Sequence, residues 1–510
     1  MILFIVGILL LVAGYFIYGR VVANSISPDA SRPTPAVALA DGIDFVPMPT
    51  WRVYLVQLLN IAGLGPIFGP IMGALWGPQV FLWIVFGAIL GGAVHDFLAG
   101  AMSIRNKGAG LAALIGHYLG KPARHAATFF ILLLMVLVGT VFVKAPADLI
   151  ASLLPAKTVG GWLFGDGEFG QSARWESIWL WVVMAAIYVY YLVATLLPVD
   201  KIIGRVYPLF AIALLVMVAG LAWVTLFGDL EAPAFTVENL HPQGVPAWPI
   251  IFITVSCGAI SGFHATQSPM MARCLKSEKH MRFVFYGAMI AEGLIALIWA
   301  SASQGYYGSV TALSAALGES GPAGVVHTVC TSTMGTFGGV LALLGVVVLP
   351  ITSGDTAFRV ARLIVADYTH LSQEKILNRY KIALPLFGLS LALQFIPFGV
   401  IWRYFGWANQ TLAAVALWTG AVFLVRRGRN WWLAALPATF MTIITGTYIL
   451  VADEGLGLSN MVGTVIGLVI GAAALGLFLY LLPRMEREPD MPTVDEGPTE
   501  AERESDSLAS

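Results

Sequence analysis

Two stretches of the chain decide its reading: Asn60–Gly73, NIAGLGPIFGPIMG, and Ser256–Pro269, SCGAISGFHATQSP. Each lies inside an apolar run long enough to cross a bilayer, and each crowds helix breakers where a spanning helix would run unbroken. The first carries Gly63, Gly65, Pro66, Gly69 and Pro70; the second carries Gly258, Ser261, Gly262, His264 and Pro269. Proline removes a backbone donor and glycine lowers the cost of unusual backbone angles, so together they open a helix. Inside lipid, opened backbone is tolerated only where it faces protein or a water-filled cavity. Small residues can also serve close helix packing, but matched interruptions in two halves of a chain point to a substrate site.

Outward from these breaks, apolar runs of bilayer length, about 20 residues, fall at approximately 2–19, 53–77, 79–102, 126–154, 177–197, 204–228, 248–270, 282–306, 333–366, 378–399, 401–426, 431–452 and 460–482, about thirteen in all. The 510 residues are 58% hydrophobic and 11% charged, with a mean hydropathy of +0.82. Soluble globules carry about a quarter charged residues, so lipid must cover most of this surface and the chain reads as an all-α polytopic membrane protein. A net charge of −1 argues against a nucleic-acid partner. No basic residue precedes the first apolar run, which therefore reads as a retained span of a bacterial inner-membrane protein.

The basic residues set the expected orientation. Arg20, Arg32 and Arg52, then Arg105, Lys107, Lys121 and Arg124, then Lys201 and Arg205, all fall on one side if thirteen spans alternate. Arg273, Lys276, Lys279 and Arg282, then Lys375, Arg379 and Lys381, then Arg426, Arg427 and Arg429 continue the series. The opposite loops hold Asp166, Glu168, Asp229, Glu231, Glu238, Glu319, Asp453 and Glu454. The N-terminus is thus expected outside and the C-terminus inside. The broken spans are the second and the seventh; five is odd, so they enter from opposite sides. That is an inverted repeat of five plus five helices, residues 52–228 and 229–426. A first helix with its cytoplasmic loop (1–51) precedes it, and two helices (427–484) and a disordered acidic tail (485–510) follow. Gly110–Gly120 reads as a short helix on the inner surface.

Several long strings resemble the carbon starvation protein CstA family. They are SRPTPAVALADGIDFVP (31–47), IAGLGPIFGPIMGALWG (61–77), GGAVHDF (91–97), SIRNKGAGL (103–111), CGAISGFHA (257–265), DTAFR (355–359) and FGWANQTLAA (405–414). The resemblance implies a fold similar to the leucine-transporter type and uptake of pyruvate, a similar small carboxylate, or a peptide, coupled to a cation. Thr266-Gln267-Ser268-Pro269 departs from the Ser-Ser-Gly-Thr-Thr-Pro string of many members, which leaves the substrate open between carboxylate and peptide.

Ionisable groups inside a membrane are costly, so each needs a partner or a task. His95 and Asp96 read, with Arg105, as an ion network at the inner end of the third span. Lys144 and Asp148, four apart in the fourth, share a helical face and can pair. Glu292 sits in the middle of MRFVFYGAMIAEGLIALIWA (281–300) without a basic neighbour in its span. A lone carboxyl at that depth is best tolerated neutral and can take up and release a proton, unless Arg359 or a backbone amide holds it charged. In LPITSGDTAFRVAR (349–362), Thr352, Ser353, Asp355 and Thr356 gather oxygens within one turn. Hard cations such as sodium prefer such oxygens, and carbonyls freed at Ile61, Ala62 and Gly63 could complete the set. A proton on Asp355, or hydroxyl back-bonding within the helix, are the alternatives; the resemblance places this span opposite the first broken helix, at a sodium position. Half-helix N-termini near Gly65–Pro66 and Gly262 offer amides to an anion. His264 could donate to a substrate carboxylate or merely pack, and Gly258, Ser261, Asn409 and Gln410 could line the same cavity. Cys257, Cys274 and Cys330 make no disulfide or metal framework. No H-E-x-x-H motif occurs, so an embedded metalloenzyme is disfavoured. The expected partners are the substrate and lipid, with no cofactor beyond a coupling proton or sodium.

Overall fold

The computed structural model describes residues 2–42, 44–165, 167–194, 199–228, 230, 234–369, 371, 373 and 375–487, with backbone alone at 199–211, 346, 348, 349, 352 and 367. Asp166, Asp229, Glu231 and the tail from residue 488 lie outside the described residues, as do the side chains of Lys201 and Arg205. The described chain is helical, with one isolated β-bridge between Met48 and Leu275.

Among the described residues, ten helices are long and apolar enough to cross a membrane, or eleven if the bent pair Thr50–Ile61 and Gly65–Trp76 is one span. The difference from thirteen has physical reasons. The run at 204–228 lies in the helix Val199–Phe227, whose side chains are described only from Ile212. The run at 248–270 is split into Ala247–Thr254 and His264–Ala272, each too short to cross alone. The run at 333–366 is helical from the kink at Gly335 to Thr369, but Asp355, Arg359, Arg362 and Asp367 interrupt its apolar character. Residues 310–334, expected as an outer loop, are helical with a left-handed kink at Gly321. Leu111–Leu119 forms the expected short helix and buries Leu111, Leu114, Ile115 and Tyr118.

Gln79–Arg105 and Glu278–Tyr307 are the most enclosed spans, 83% buried, against 28% for Ile2–Asn24 and 17% for Asn460–Arg484. The spans carrying Asp96 and Glu292 therefore sit at the centre, and the terminal spans turn apolar side chains such as Leu9, Met461 and Val469 outward, as lipid contact requires. At the centre the two broken spans cross in opposite senses. Thr50–Ile61 packs on His264–Ala272, and Gly65–Gly73 packs on Ala247–Thr254. The first pair bends by 47° at its break.

The segments carrying Arg32, Arg105 and Arg273 meet. The segment after the first span wraps beneath the second broken helix: Thr34 Oγ1 donates to the Leu275 carbonyl, Met48 N to the Cys274 carbonyl, and Arg273 lies over the Phe45 ring. Glu278, 1% exposed, joins three elements there. Its Oε2 accepts from Arg105 Nη2 at 2.9 Å, from Arg32 Nη1 at 3.2 Å and from the Asp29 amide at 2.8 Å. Replacing it with alanine leaves the buried Arg105 without its carboxylate, a loss of about 3–5 kcal/mol. Glu278→Ala is expected to lower the unfolding temperature of the detergent-purified protein by several degrees; an unchanged temperature would show that this clasp adds no stability.

Candidate functional site

Glycine lets the two breaks touch. Gly65 begins the Gly65–Gly73 helix, and a Cβ there would meet Cys257 Cβ at 2.3 Å. Gly258, with φ +86°, would place a Cβ 2.5 Å from Ala296. This left-handed turn aims the Gly258 amide at Glu292 Oε1, 3.1 Å away. The first break is short, residues 62–64, while the second leaves residues 255–263 outside regular helix.

Against the second break lies a line of buried ionisable groups. His95 Nδ1 is 2.8 Å from Asp96 Oδ1, and Asp96 Oδ2 is 3.0 Å from His264 Nδ1. His264 Nε2 in turn lies 3.3 Å from Glu292 Oε2. All four side chains are at most 1% exposed. The last contact lacks hydrogen-bond alignment, so Nε2 and Oε2 face each other unsatisfied among the described residues. Two carboxylates thus share one imidazole. With His264 charged, Asp96, His264 and Glu292 carry a net −1, and one added proton makes them neutral. In so dry a place, that single proton decides the charge the site presents.

Asn409, on the Phe398–Arg426 helix, holds the broken backbone open. Its Oδ1 accepts from the Phe263 amide at 2.7 Å and from Ser261 Oγ at 3.2 Å, its Nδ2 donates to Ser261 Oγ at 2.9 Å, and its carbonyl accepts from the Gly262 amide at 3.1 Å. Gln410 donates to the Phe252 carbonyl at the end of the preceding half-helix. A helix that must stay unwound needs such side chains, because its own amides have lost their partners.

The structure redistributes the expected groupings. His95 and Asp96 do not form a network with Arg105: Arg105 lies further along the helix and binds Glu278, while Asp96 turns to His264. Glu292 is not held by Arg359; its partners are His264 and the Gly258 amide. Arg359 instead pairs with Asp355 at 3.2 Å and donates to the Ala194 carbonyl. Lys144 and Asp148 share a face one turn apart, yet among the described residues they close no direct ion pair. Ser353 is buried with Oγ unsatisfied among the described residues, Thr356 has a partner, and the Thr352 side chain lies outside the described residues. Ile61 ends the first half-helix, with Ala62 as its cap and Gly63 beyond it beside Phe142. Cys257 Sγ, a His264 ring nitrogen and a Glu292 oxygen lie within 4.8 Å of one another, a spacing a metal could use. The thiol is 3.5 Å from Ser261 Oγ and 3.6 Å from Asn409 Nδ2. The GGAVHDF and CGAISGFHA strings were the signal for this meeting, since each places a titratable residue directly after glycine-rich backbone.

A family model described as "Carbon starvation protein CstA" matches residues 1–160, 149–320 and 306–448. An uncharacterized membrane protein of Haemophilus influenzae is 43% identical over 349 residues, covering 62% of this chain and 94% of that one. "Peptide transporter CstA" of Campylobacter jejuni is 27% identical over 96% of this chain and 86% of its own. "Pyruvate/proton symporter BtsT" of Escherichia coli is 30% identical over 56% of this chain and 46% of its own. Among solved structures, the inward facing conformation of Mhp1 aligns with 88% of this chain and 95% of its own at 16% identity, with a TM-score of 0.49. The family match along most of the sequence, together with ten membrane-length helices among the described residues, makes this chain a multi-pass inner-membrane transporter belonging to the carbon starvation protein CstA family.

Proposed function

We propose that the protein takes up pyruvate or a similar small monocarboxylate together with protons, binding it where the two broken helices cross. The observation that carries this reading is the line Asp96–His264–Glu292 lying directly against the second break. A proton entering the line removes its net negative charge, which favours an anion nearby. The same step would let the helix amides beginning at Gly65 and at His264 bind a carboxylate. Substrate and proton then become mutually dependent, as symport requires. The close approach of Gly65 to Cys257 suits a substrate of a few heavy atoms better than a peptide. The opposite-sense crossing of the broken spans supports two inverted five-helix halves, at 52–228 and 229–426, and the meeting of the Arg32, Arg105 and Arg273 segments supports an inner face there, with the N-terminus outside.

Peptide uptake is the second reading, favoured by the name of the Campylobacter jejuni relative. Sodium coupling at Ser353 and Asp355 is the third; there a cation would have to displace the Arg359 guanidinium. Uptake of radiolabelled pyruvate into proteoliposomes under an imposed pH gradient, with and without sodium and with unlabelled dipeptides as competitors, separates them. Pyruvate accumulation driven by protons alone is expected. Dipeptide uptake without pyruvate uptake would move the function to peptides, and an absolute sodium requirement would overturn the proton assignment. In the same assay Asn409→Ala is expected to slow initial uptake about tenfold or more, the effect of leaving buried amides unsatisfied; a normal rate would remove Asn409 from the site.

A further inference from the structure

The helix Leu349–Thr369 carries Asp355, Arg359 and Arg362 four and then three residues apart, which sets all three on one face. That helix packs on Lys121–Leu153, Ile376–Leu393 and the end of Ala173–Ala194, where Arg359 Nη2 donates to the Ala194 carbonyl at 3.2 Å. Tyr380, at the start of Ile376–Leu393, donates to the Leu192 carbonyl at 3.2 Å and so brings its neighbour Arg379 to the same place. The charges of Arg359 and Arg379 both act on Arg362, and among the described residues Asp355 is the acid that opposes them. Three guanidinium groups thus face one carboxylate, and Arg359 already holds it at 3.2 Å. Arg362 is only 6% exposed. Among the described residues its Nε and Nη1 are buried without a hydrogen-bond partner, as is Nε of Arg359. A buried guanidinium without a counter-charge strongly destabilises a fold, so these donors call for an anion from outside the chain.

We propose that Arg359, Arg362 and Arg379 hold a phosphate-type oxyanion, supplied as free phosphate or as the phosphate of a lipid headgroup. Arginine forks fit phosphate oxygens and form charge-assisted hydrogen bonds with them. The cluster has two positive charges in excess; a monocarboxylate brings one negative charge, whereas a phosphate group brings close to two at neutral pH. This site stands apart from the line Asp96–His264–Glu292, so it does not depend on which substrate the protein carries.

The unfolding temperature of the full detergent-purified chain, measured at matched ionic strength in sodium phosphate, sodium acetate and sodium chloride, reads the free anion. A saturating excess of phosphate is expected to raise it by about 3 °C over chloride. Native mass spectrometry with dioleoylphosphatidic acid and dioleoylglycerol, which differ only by the phosphate, reads the headgroup; preferential retention of phosphatidic acid is the expected result if lipid is the source. Either response supports the site and identifies its source, provided that Arg362→Gln abolishes it and Arg379→Gln, at a half-buried position, weakens it about tenfold. In chloride alone, Arg362→Gln should melt no lower than the parent, because it removes an unpaired buried charge. A lower temperature would mean that Arg362 serves the fold, and would overturn the proposal. So would acetate that protects as well as phosphate, responses that persist undiminished in Arg362→Gln, or no response of the unaltered protein to either phosphate or phosphatidic acid.

Discussion

Glu292→Gln is expected to abolish accumulation of pyruvate against its gradient, bringing the ratio of internal to external substrate to one, while exchange of labelled for unlabelled pyruvate continues. Glutamine has the shape of glutamate, and its carbonyl oxygen can still accept the Gly258 amide, so the second break keeps its anchor. What is lost is the proton site facing His264 Nε2. The paired assay separates the two roles of the carboxylate. Loss of both exchange and accumulation would make Glu292 part of substrate binding, and loss of neither would remove it from the mechanism.

A side chain at Gly262 is expected to have an effect of similar size through packing. A Cβ at this position would lie 2.3 Å from the Asn409 carbonyl oxygen and 2.6 Å from the Ala413 amide nitrogen. Both are backbone atoms of an enclosed helix and cannot turn aside, so even alanine must push the break away from its support. Overpacking of this kind costs about 1–3 kcal/mol, enough to cut uptake about tenfold for Gly262→Ala, and Gly262→Leu should eliminate it. The rest of the bundle does not depend on this contact, so both variants should reach the membrane and elute as the parent does on size exclusion. Full activity in Gly262→Leu would place the site elsewhere.

The breaks were legible in the sequence because their cause is local: the glycines and prolines that open a helix are its own residues. The partners of the charges were not. Asp96 and Arg105 are nine residues apart, about 13 Å along a helix and half a turn around it, so they face different neighbours at different depths. Their true partners, His264 and Glu278, lie 168 and 173 residues away, a distance no spacing rule reaches. Glu292 looked isolated because the nearest bases of its own span, such as Arg282, lie at its far end, while the imidazole beside it belongs to the broken helix. Asn409 and Gln410 were recognisable as uncharged polar residues in an apolar span. That Asn409 holds several polar groups of the opened segment follows only from the way its helix crosses the break.

The contact between Gly65 and Cys257 gives the protein a native indicator of its own cycle. The thiol lies where the two half-helices meet, 5% exposed in this arrangement, so a water-soluble maleimide can reach it only when the crossing parts. Of the other cysteines, Cys330 is fully enclosed, and burial pushes the Cys274 thiol above its ordinary range, which slows its alkylation at neutral pH. In a Cys274→Ser background, the alkylation rate of Cys257 becomes a clock for opening, and protection by a bound solute would report occupancy before any transport is measured.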